Sequence, residues 1–215
     1  MQTIRIFFEK RGRAKYISHL DLMRAMTRAV RRAALPLWYT EGFHPHPYLS
    51  FPLPLPLGQE GLRETMDLRL EEDMAFEEIQ RRLNAALPEG MRVVAVSEPW
   101  CKPGEIKAAR YHIAIPCEDA PAWVEQARAL LAGGNLTAKK SAKQGHRKIE
   151  KEIALAPLVL QYDLRAEGGA ALLDCVLAAG SEVNLNAALL TGALGAREAE
   201  ITRVALLREN GERWE

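Results

Sequence analysis

The two halves of the chain show the same order of predicted elements, and this repeat constrains the fold more than any other feature. In residues 1–98, alternating apolar residues predict a first strand, and Ser18 begins a helix that ends before Pro36. A strand, a helix and a strand follow, and one more strand is expected within the proline-rich segment 36–58. Residues 106–215 repeat the pattern β-α-β-β-α-β. The chain of 215 residues is long enough for two small domains.

This element order is that of the split βαβ, or ferredoxin-like, unit. We therefore expect an α+β fold with two tandem ferredoxin-like (βαββαβ) domains, joined by a linker at 99–104. Residues 1–98 form the domain with a His-Pro-rich loop, and residues 106–215 form the domain with a basic loop. A single larger α+β sheet is the alternative, because prolines obscure the strand boundaries.

Composition excludes several classes of protein. No apolar run approaches the roughly 20 residues of a membrane span, and the N-terminal charges do not suit a signal peptide. The three cysteines have no metal-ligand spacing. We therefore expect a cytoplasmic protein with no membrane association, no metal and no cofactor.

The net charge is only +1, but the basic residues are unevenly distributed. Residues 1–35 hold nine basic and two acidic residues. A second basic island, at 139–151, contains Lys139, Lys140, Lys143, Arg147, Lys148 and Lys151. Two such islands in a near-neutral chain indicate local binding of a polyanion.

The first predicted helix carries its arginines on one side. At 100° per residue, Arg24, Arg28, Arg31 and Arg32 fall within one arc opposite the apolar positions, with Asp21 as the only balancing acid. Such an arc is either a solvated helix face or a set of phosphate contacts, for which guanidinium groups are well suited. The sequence of the second basic island predicts a hairpin or a flexible loop. Such a loop is either an exposed linker or one wall of a basic cleft.

The segment Gly42–Pro47 holds two histidines, each followed by a proline that keeps the chain extended. His44 and His46 are candidates for contacts with a base, for acid–base catalysis on a ribose 2′-OH, or for hydrogen bonds that fix the loop. A metal site at these two histidines would need a third ligand, and no residue has the spacing to supply it. Glu64 and Asp67 are three residues apart and are expected on opposite faces of a strand, which argues against a paired-carboxylate hydrolase. Asp67 is instead a candidate partner for an arginine or for His44.

Several of these residues resemble the radical-SAM-linked family of unknown function, over about residues 3–100. The matching positions are Tyr16, His19, Asp21, Arg24, Phe43, His44, His46, Ser50, Phe51, Glu64 and Asp67. Members of that family stand alone or form the C-terminus of radical SAM proteins. Since no CxxxCxxC motif is present, the resemblance implies the stand-alone form and a radical SAM protein as partner.

A fainter resemblance extends to the tandem ferredoxin-like RNA endonucleases that process CRISPR repeats. Their glycine-rich phosphate-binding loop corresponds here to Gly192–Gly195, which is poorer in glycine. The expected function is an RNA-binding module, for tRNA or rRNA, that acts with a radical SAM modification enzyme. The expected RNA contacts are Arg24, Arg28, Arg31, Arg32, His44, His46, Lys139, Lys140, Lys143, Arg147 and Lys148. A metal-independent RNA endonuclease using His44 or His46, and a protein-interaction adaptor for the radical SAM partner, are the alternatives.

Overall fold

The fold is taken from a computed structural model that describes residues 1–144 and 147–215, with side chains described outside 140–151. It is mixed α+β, which confirms the predicted class. Among the described residues, no helix is long and apolar enough to cross a membrane.

The chain divides into two compact units. The first contains residues 1–106 and 203–215, and the second contains residues 107–202. The first division is close to the linker predicted from the sequence. The second division was not predicted, because the sequence assigns residues 203–215 to the C-terminal domain, whereas they pack with the first unit.

The first unit has four strands that precede the division and two helices. They are β1 (Gln2–Lys10), α1 (His19–Arg32), β2 (Leu49–Ser50), β3 (Glu60–Leu70), α2 (Phe76–Ala86) and β4 (Met91–Ser97). Strand β1 pairs with β3 and β4, and β2 pairs with β3, all antiparallel, so that the order is β4-β1-β3-β2. The predicted strand within the proline-rich segment is therefore present as the short β2.

The helices of this unit pack on the apolar face that the sequence predicts. Ile4, Ile6 and Phe8 of β1 are buried against residues of α1 such as Met26 and Val30. Helix α1 begins where the sequence places it, because the Ser18 hydroxyl accepts a hydrogen bond from the backbone N–H of Asp21.

The second unit has the same kinds of element and an inserted hairpin. They are β5 (Ala108–Pro116), α3 (Ala120–Ala132), β6 (Thr137–Gln144), β7 (Arg147–Ala154), β8 (Val159–Glu167), β9 (Ala170–Ala178) and α4 (Ala187–Ala193). Strands β5 and β8 each pair antiparallel with β9. The β8–β9 hairpin turns at Gly168 and Gly169, as the sequence predicts. The last strand, β10 (Glu200–Leu207), begins in this unit and continues into the first.

Strands β6 and β7 contain the second basic island. They pair antiparallel as a separate two-stranded sheet, with Lys139 opposite Glu152 and Lys143 opposite Lys148. The basic segment is thus a hairpin, one of the two forms that its sequence predicts.

Candidate nucleic-acid interface

Helix α1 exposes all four arginines predicted to lie in one arc, whereas its apolar residues Leu22, Met26, Ala29 and Val30 are buried. Arg24 lies 3.3 Å from Asp21, an exposed pair of the kind that contributes little to stability. Arg28 makes no ion pair or hydrogen bond with any residue that the structure describes. Its charge is therefore available to an external ligand.

Arg32 differs from the other three arginines. Its guanidinium donates to the carbonyl of Ala86 at the end of α2, and Arg82 of α2 donates to the carbonyl of Ala34 at 3.2 Å. These bonds satisfy the carbonyl of the last residue of α2 and a carbonyl two residues beyond the end of α1. Arg32 therefore joins α1 to α2, and its guanidinium is already engaged within the protein.

Other basic residues of segment 1–35 are also occupied within the protein. Arg5 and Lys10 are buried, and Arg11 lies 3.6 Å from Glu60. The charge that this segment presents to solvent is consequently smaller than its sequence suggests. The exposed arginines of α1 are the densest group of basic side chains that this segment presents to solvent.

The His-Pro-rich loop is a short hairpin. The backbone N–H of Thr40 donates to the carbonyl of His46 at 2.9 Å, and that of Tyr48 donates to the carbonyl of Trp38 at 3.2 Å. The Arg69 guanidinium packs on both aromatic rings of the stem, 5.3 Å from the centroid of Trp38 and 4.6 Å from that of Tyr48. The two backbone hydrogen bonds and the Arg69 guanidinium thus hold the stem of the hairpin. Residues 41–45 form the tip of the hairpin.

The two histidines of this loop have different roles. The ring of His46 lies with Nδ1 3.1 Å from the carbonyl oxygen of His44 and 3.1 Å from the hydroxyl of Thr40. Because a carbonyl only accepts, the contact with His44 assigns the proton of neutral His46 to Nδ1. His44 is exposed, and its ring has no hydrogen-bond partner among the described residues. His46 therefore helps to fix the hairpin, and His44 is the histidine left for a ligand.

Two aromatic residues near these histidines were not predicted as ligand contacts. Phe43, at the tip, is fully exposed, and Tyr39, in the stem, is 39% exposed. The Arg31 guanidinium of α1 lies 5.8 Å from the centroid of the Tyr39 ring. This contact places the stem of the hairpin beside the arginine-rich face of α1. The signal in the sequence was an aromatic residue, Phe43, inside a turn of polar residues and prolines.

Asp67 and Glu64, two of the acidic residues of the family motif, form ion pairs within the first unit. Asp67 accepts two hydrogen bonds from Arg5, at 2.7 and 2.9 Å, and Arg5 also packs 3.7 Å from the centroid of the Trp214 ring. Asp67 thus pairs with an arginine, the first of its two predicted partners, and does not contact His44. Glu64 is bound through both carboxylate oxygens by Arg203.

These buried charges hold the loops that carry the rest of the motif. Arg203 also donates to the carbonyl of Leu53 in the proline-rich segment at 2.7 Å. The Lys10 ammonium lies 3.4 Å from the carbonyl of Ile17, just before α1. Burial lowers the pKa of Lys10, while the nearby carboxylate of Glu64 opposes this effect.

The histidine at the start of α1 packs on the proline-rich segment. The rings of His19 and Phe51 meet edge to face, with 5.4 Å between their centroids, and Phe51 meets Phe8 of the core in the same way. His19 thus packs against the proline-rich segment. The neighbouring Ser50 pairs with Asp67 across β2 and β3. Tyr16, the first residue of the motif, is exposed.

In the second unit, the predicted basic contacts are only partly described. Lys139 is exposed. The remaining four lie in β6 and β7, and their side chains fall outside the described part of the structure: Lys140, Lys143, Arg147 and Lys148.

The segment Gly192–Gly195 does not form a phosphate-binding loop. The backbone N–H groups of Leu194, Gly195 and Ala196 donate to carbonyls of α4 at 3.0 Å each. Because these donors are already used, they are not available to cradle a phosphate. An open groove of about 480 Å³ adjoins this segment and is lined by Trp123 and Arg197, among others.

A histidine–carboxylate contact lies on the sheet of this unit. His112 and Arg165 both contact the carboxylate of Asp174. Burial raises the pKa of Asp174, but the hydrogen bonds from Arg165 and His112 outweigh it and leave the pKa below its ordinary value. His112 is exposed on its strand. Within the described residues, no group of three His, Cys, Asp or Glu side chains is placed to hold a metal ion.

Comparison with known proteins gives one family. No curated protein matches the chain. A crystal structure described as that of an unknown protein from Galdieria sulphuraria has 13% sequence identity and a TM-score of 0.28, over 95% of this chain and 99% of that chain. The model of a bacterial family matches residues 3–187. The chain therefore belongs to the family described as an uncharacterized protein conserved in bacteria (DUF2344).

Proposed function

We propose that this protein is an RNA-binding module, for tRNA or rRNA, whose RNA contacts are made by the first unit. One observation carries the proposal: the exposed arginines of α1 lie beside a hairpin that presents an exposed aromatic ring and an unpartnered imidazole. The proposed surface, called here the α1–hairpin surface, consists of Arg24, Arg28, Arg31, Tyr39, Phe43 and His44.

The chemistry of this surface suits RNA better than an acidic protein. Guanidinium groups bind phosphates through planar pairs of N–H donors, and aromatic and imidazole rings stack on unpaired bases. An acidic protein surface would use the arginines but would give Phe43 no partner. The adaptor hypothesis therefore explains less of the surface.

We also propose that both units are ferredoxin-like and that the protein acts with a radical SAM modification enzyme. The strand order β4-β1-β3-β2 of the first unit supports the first part, and so does the antiparallel pairing of β5 and β8 with β9 in the second unit. The radical SAM partner rests on the sequence resemblance of the motif residues.

The endonuclease alternative needs two groups that can exchange protons with the RNA. His44 is available, and Nε2 of His46 is unprotonated in the tautomer assigned above. We rank this alternative second because the Nδ1 contacts of His46 already account for its position in the loop.

The test is charge reversal on α1. We expect the variant Arg24→Glu/Arg28→Glu/Arg31→Glu to lose RNA binding while retaining its far-UV circular dichroism and its melting temperature within a few degrees, because these side chains are exposed. The probe is bulk tRNA or rRNA from a bacterial host, measured by fluorescence anisotropy. The matched control is Arg92→Glu, since Arg92 alternates with the buried Met91 and Val93 and projects from the sheet face opposite the helices.

Retained affinity in the triple variant, or an equal loss in the control, would contradict the proposal. Incubation of the bound RNA in EDTA separates the second function. Cleavage that is lost in His44→Ala would establish the endonuclease alternative, whereas intact RNA supports a binding module.

A further inference from the structure

We infer that the α1–hairpin surface selects single-stranded RNA, and that Phe43 is the residue that stacks on an unpaired base. This inference rests on the proposed function and goes beyond it by naming the form of the nucleic acid and the residue that recognises it. It is argued from the exposure of Phe43, the rigidity of the hairpin that carries it, and the position of the hairpin beside α1.

Phe43 has none of the packing expected of a phenylalanine. Its side chain is fully exposed, although burying such an apolar ring is favourable. The chain therefore gives up this stabilisation at the tip of the hairpin. A flat apolar surface provided by a ligand would recover it.

The hairpin holds the backbone that carries the ring. Two backbone hydrogen bonds close its stem, from Thr40 to His46 and from Tyr48 to Trp38. Gly42, directly before Phe43, has a φ of 120°, which residues with a side chain rarely adopt. The tip is thus built around a glycine, and Pro45 and Pro47 further restrict the backbone of the hairpin. A backbone restricted in this way loses little conformational freedom when the ring binds.

Single-stranded RNA offers what this ring requires. In a duplex the faces of the bases are stacked on one another, so that an exposed ring finds only the backbone and the groove edges. In a single strand the bases can be unstacked, and aromatic side chains stack on them with little dependence on sequence. Arg28 and Arg31 contact phosphates in either form. Only the Phe43 contact distinguishes a single strand from a duplex.

The hairpin and the arginines are close enough to act on one strand. Tyr39, in the stem, contacts Arg31 of α1, and Tyr39 precedes Phe43 by four residues. A strand whose phosphates follow α1 would thus bring a base to the tip. Direct stacking of His44 on a neighbouring base is compatible with its exposed ring.

The experiment compares two RNA probes that share one sequence: a fluorescein-labelled 14-nucleotide single strand and the same strand annealed to its complement. We expect the wild-type protein to bind the single strand more tightly. Phe43→Ala should weaken single-strand binding on the order of 10-fold and leave duplex binding unchanged, since one base stack is lost. Phe43→Tyr should restore the single-strand affinity.

The variants also separate failure of this inference from failure of the proposed function. Arg28→Glu should weaken binding of both probes. Equal affinity of both probes for the wild type, an equal loss of both in Phe43→Ala, or no loss of either, overturns the inference while RNA binding stands. If Phe43→Ala loses affinity for neither probe, the remaining role for the exposed ring of Phe43 is contact with a protein partner. If the wild type binds neither probe nor bulk cellular RNA, the proposed function itself fails.

Discussion

Breaking the pair formed by Glu64 and Arg203 should be one of the most destabilising single changes in the first unit. The two residues are 4% and 2% exposed, and Arg203 donates through Nε to Glu64 at 2.9 Å and through Nη2 to the carbonyl of Leu53 at 2.7 Å. Removing one member leaves the other charge buried. This should cost about 3–5 kcal/mol for Arg203→Met and somewhat less for Glu64→Gln, which keeps the shape of the side chain.

Removing both charges should cost less than the sum of the two single changes. The double variant Glu64→Gln/Arg203→Met leaves no uncompensated charge from the pair, so we expect a coupling energy of about 1–3 kcal/mol. The measurement is urea unfolding followed by circular dichroism. The control is Arg208→Met, also from the C-terminal segment, whose more exposed ion pairs with Glu105 and Glu212 should contribute below about 1 kcal/mol. Strictly additive single changes, or an Arg203→Met cost no larger than that of the control, would refute this reasoning.

Two further predictions concern the second unit. The hydrogen bond from Arg165 helps to hold the pKa of Asp174 below 3.8, so Asp174 stabilises the fold above about pH 4 and loses this effect as the pH falls through its lowered pKa. Arg165→Met should raise that pKa in an NMR titration of the carboxyl carbon, and an unchanged value would show that the contact is not formed. Burial, with the nearby carboxylate of Asp174, raises the pKa of the Cys175 thiol to about 12. Ellman's reagent should therefore modify the partly exposed Cys117 first in the native protein, and rapid reaction of Cys175 would contradict its burial.

Much of the first unit could be predicted because its local signals agree. Alternating apolar residues defined β1, and Ser18 with Asp21 defined the start of α1. The ion pairs could not be predicted, since Arg5 and Arg203 find their partners 62 and 139 positions away along the chain. One signal was present: Arg203 occupies an inward position of β10, between the buried Ile201 and Ala205. A charged residue at such a position requires a buried partner, but the sequence does not say which one.

The candidate site was predicted in outline only. Helical periodicity placed Arg28 and Arg31 on the exposed face, but it did not separate Arg32, which binds the end of another helix. The two histidines are equivalent in the sequence because each precedes a proline. Thr40 distinguishes them, since its hydroxyl contacts His46 across the stem of the hairpin. Such a contact depends on the folded loop and not on a local pattern.

The most direct test of the central claim is the salt dependence of RNA binding. The dissociation constant for a single-stranded RNA should be measured between 50 and 300 mM KCl in the wild type and in Arg28→Glu/Arg31→Glu. Each phosphate contact contributes a slope of roughly 0.7 in a plot of log affinity against log salt for single strands. The account predicts that the slope falls by about 1.4 in the variant, which corresponds to two lost contacts. A wild-type slope near zero, or the same slope in both proteins, would show that these arginines do not contact RNA phosphates.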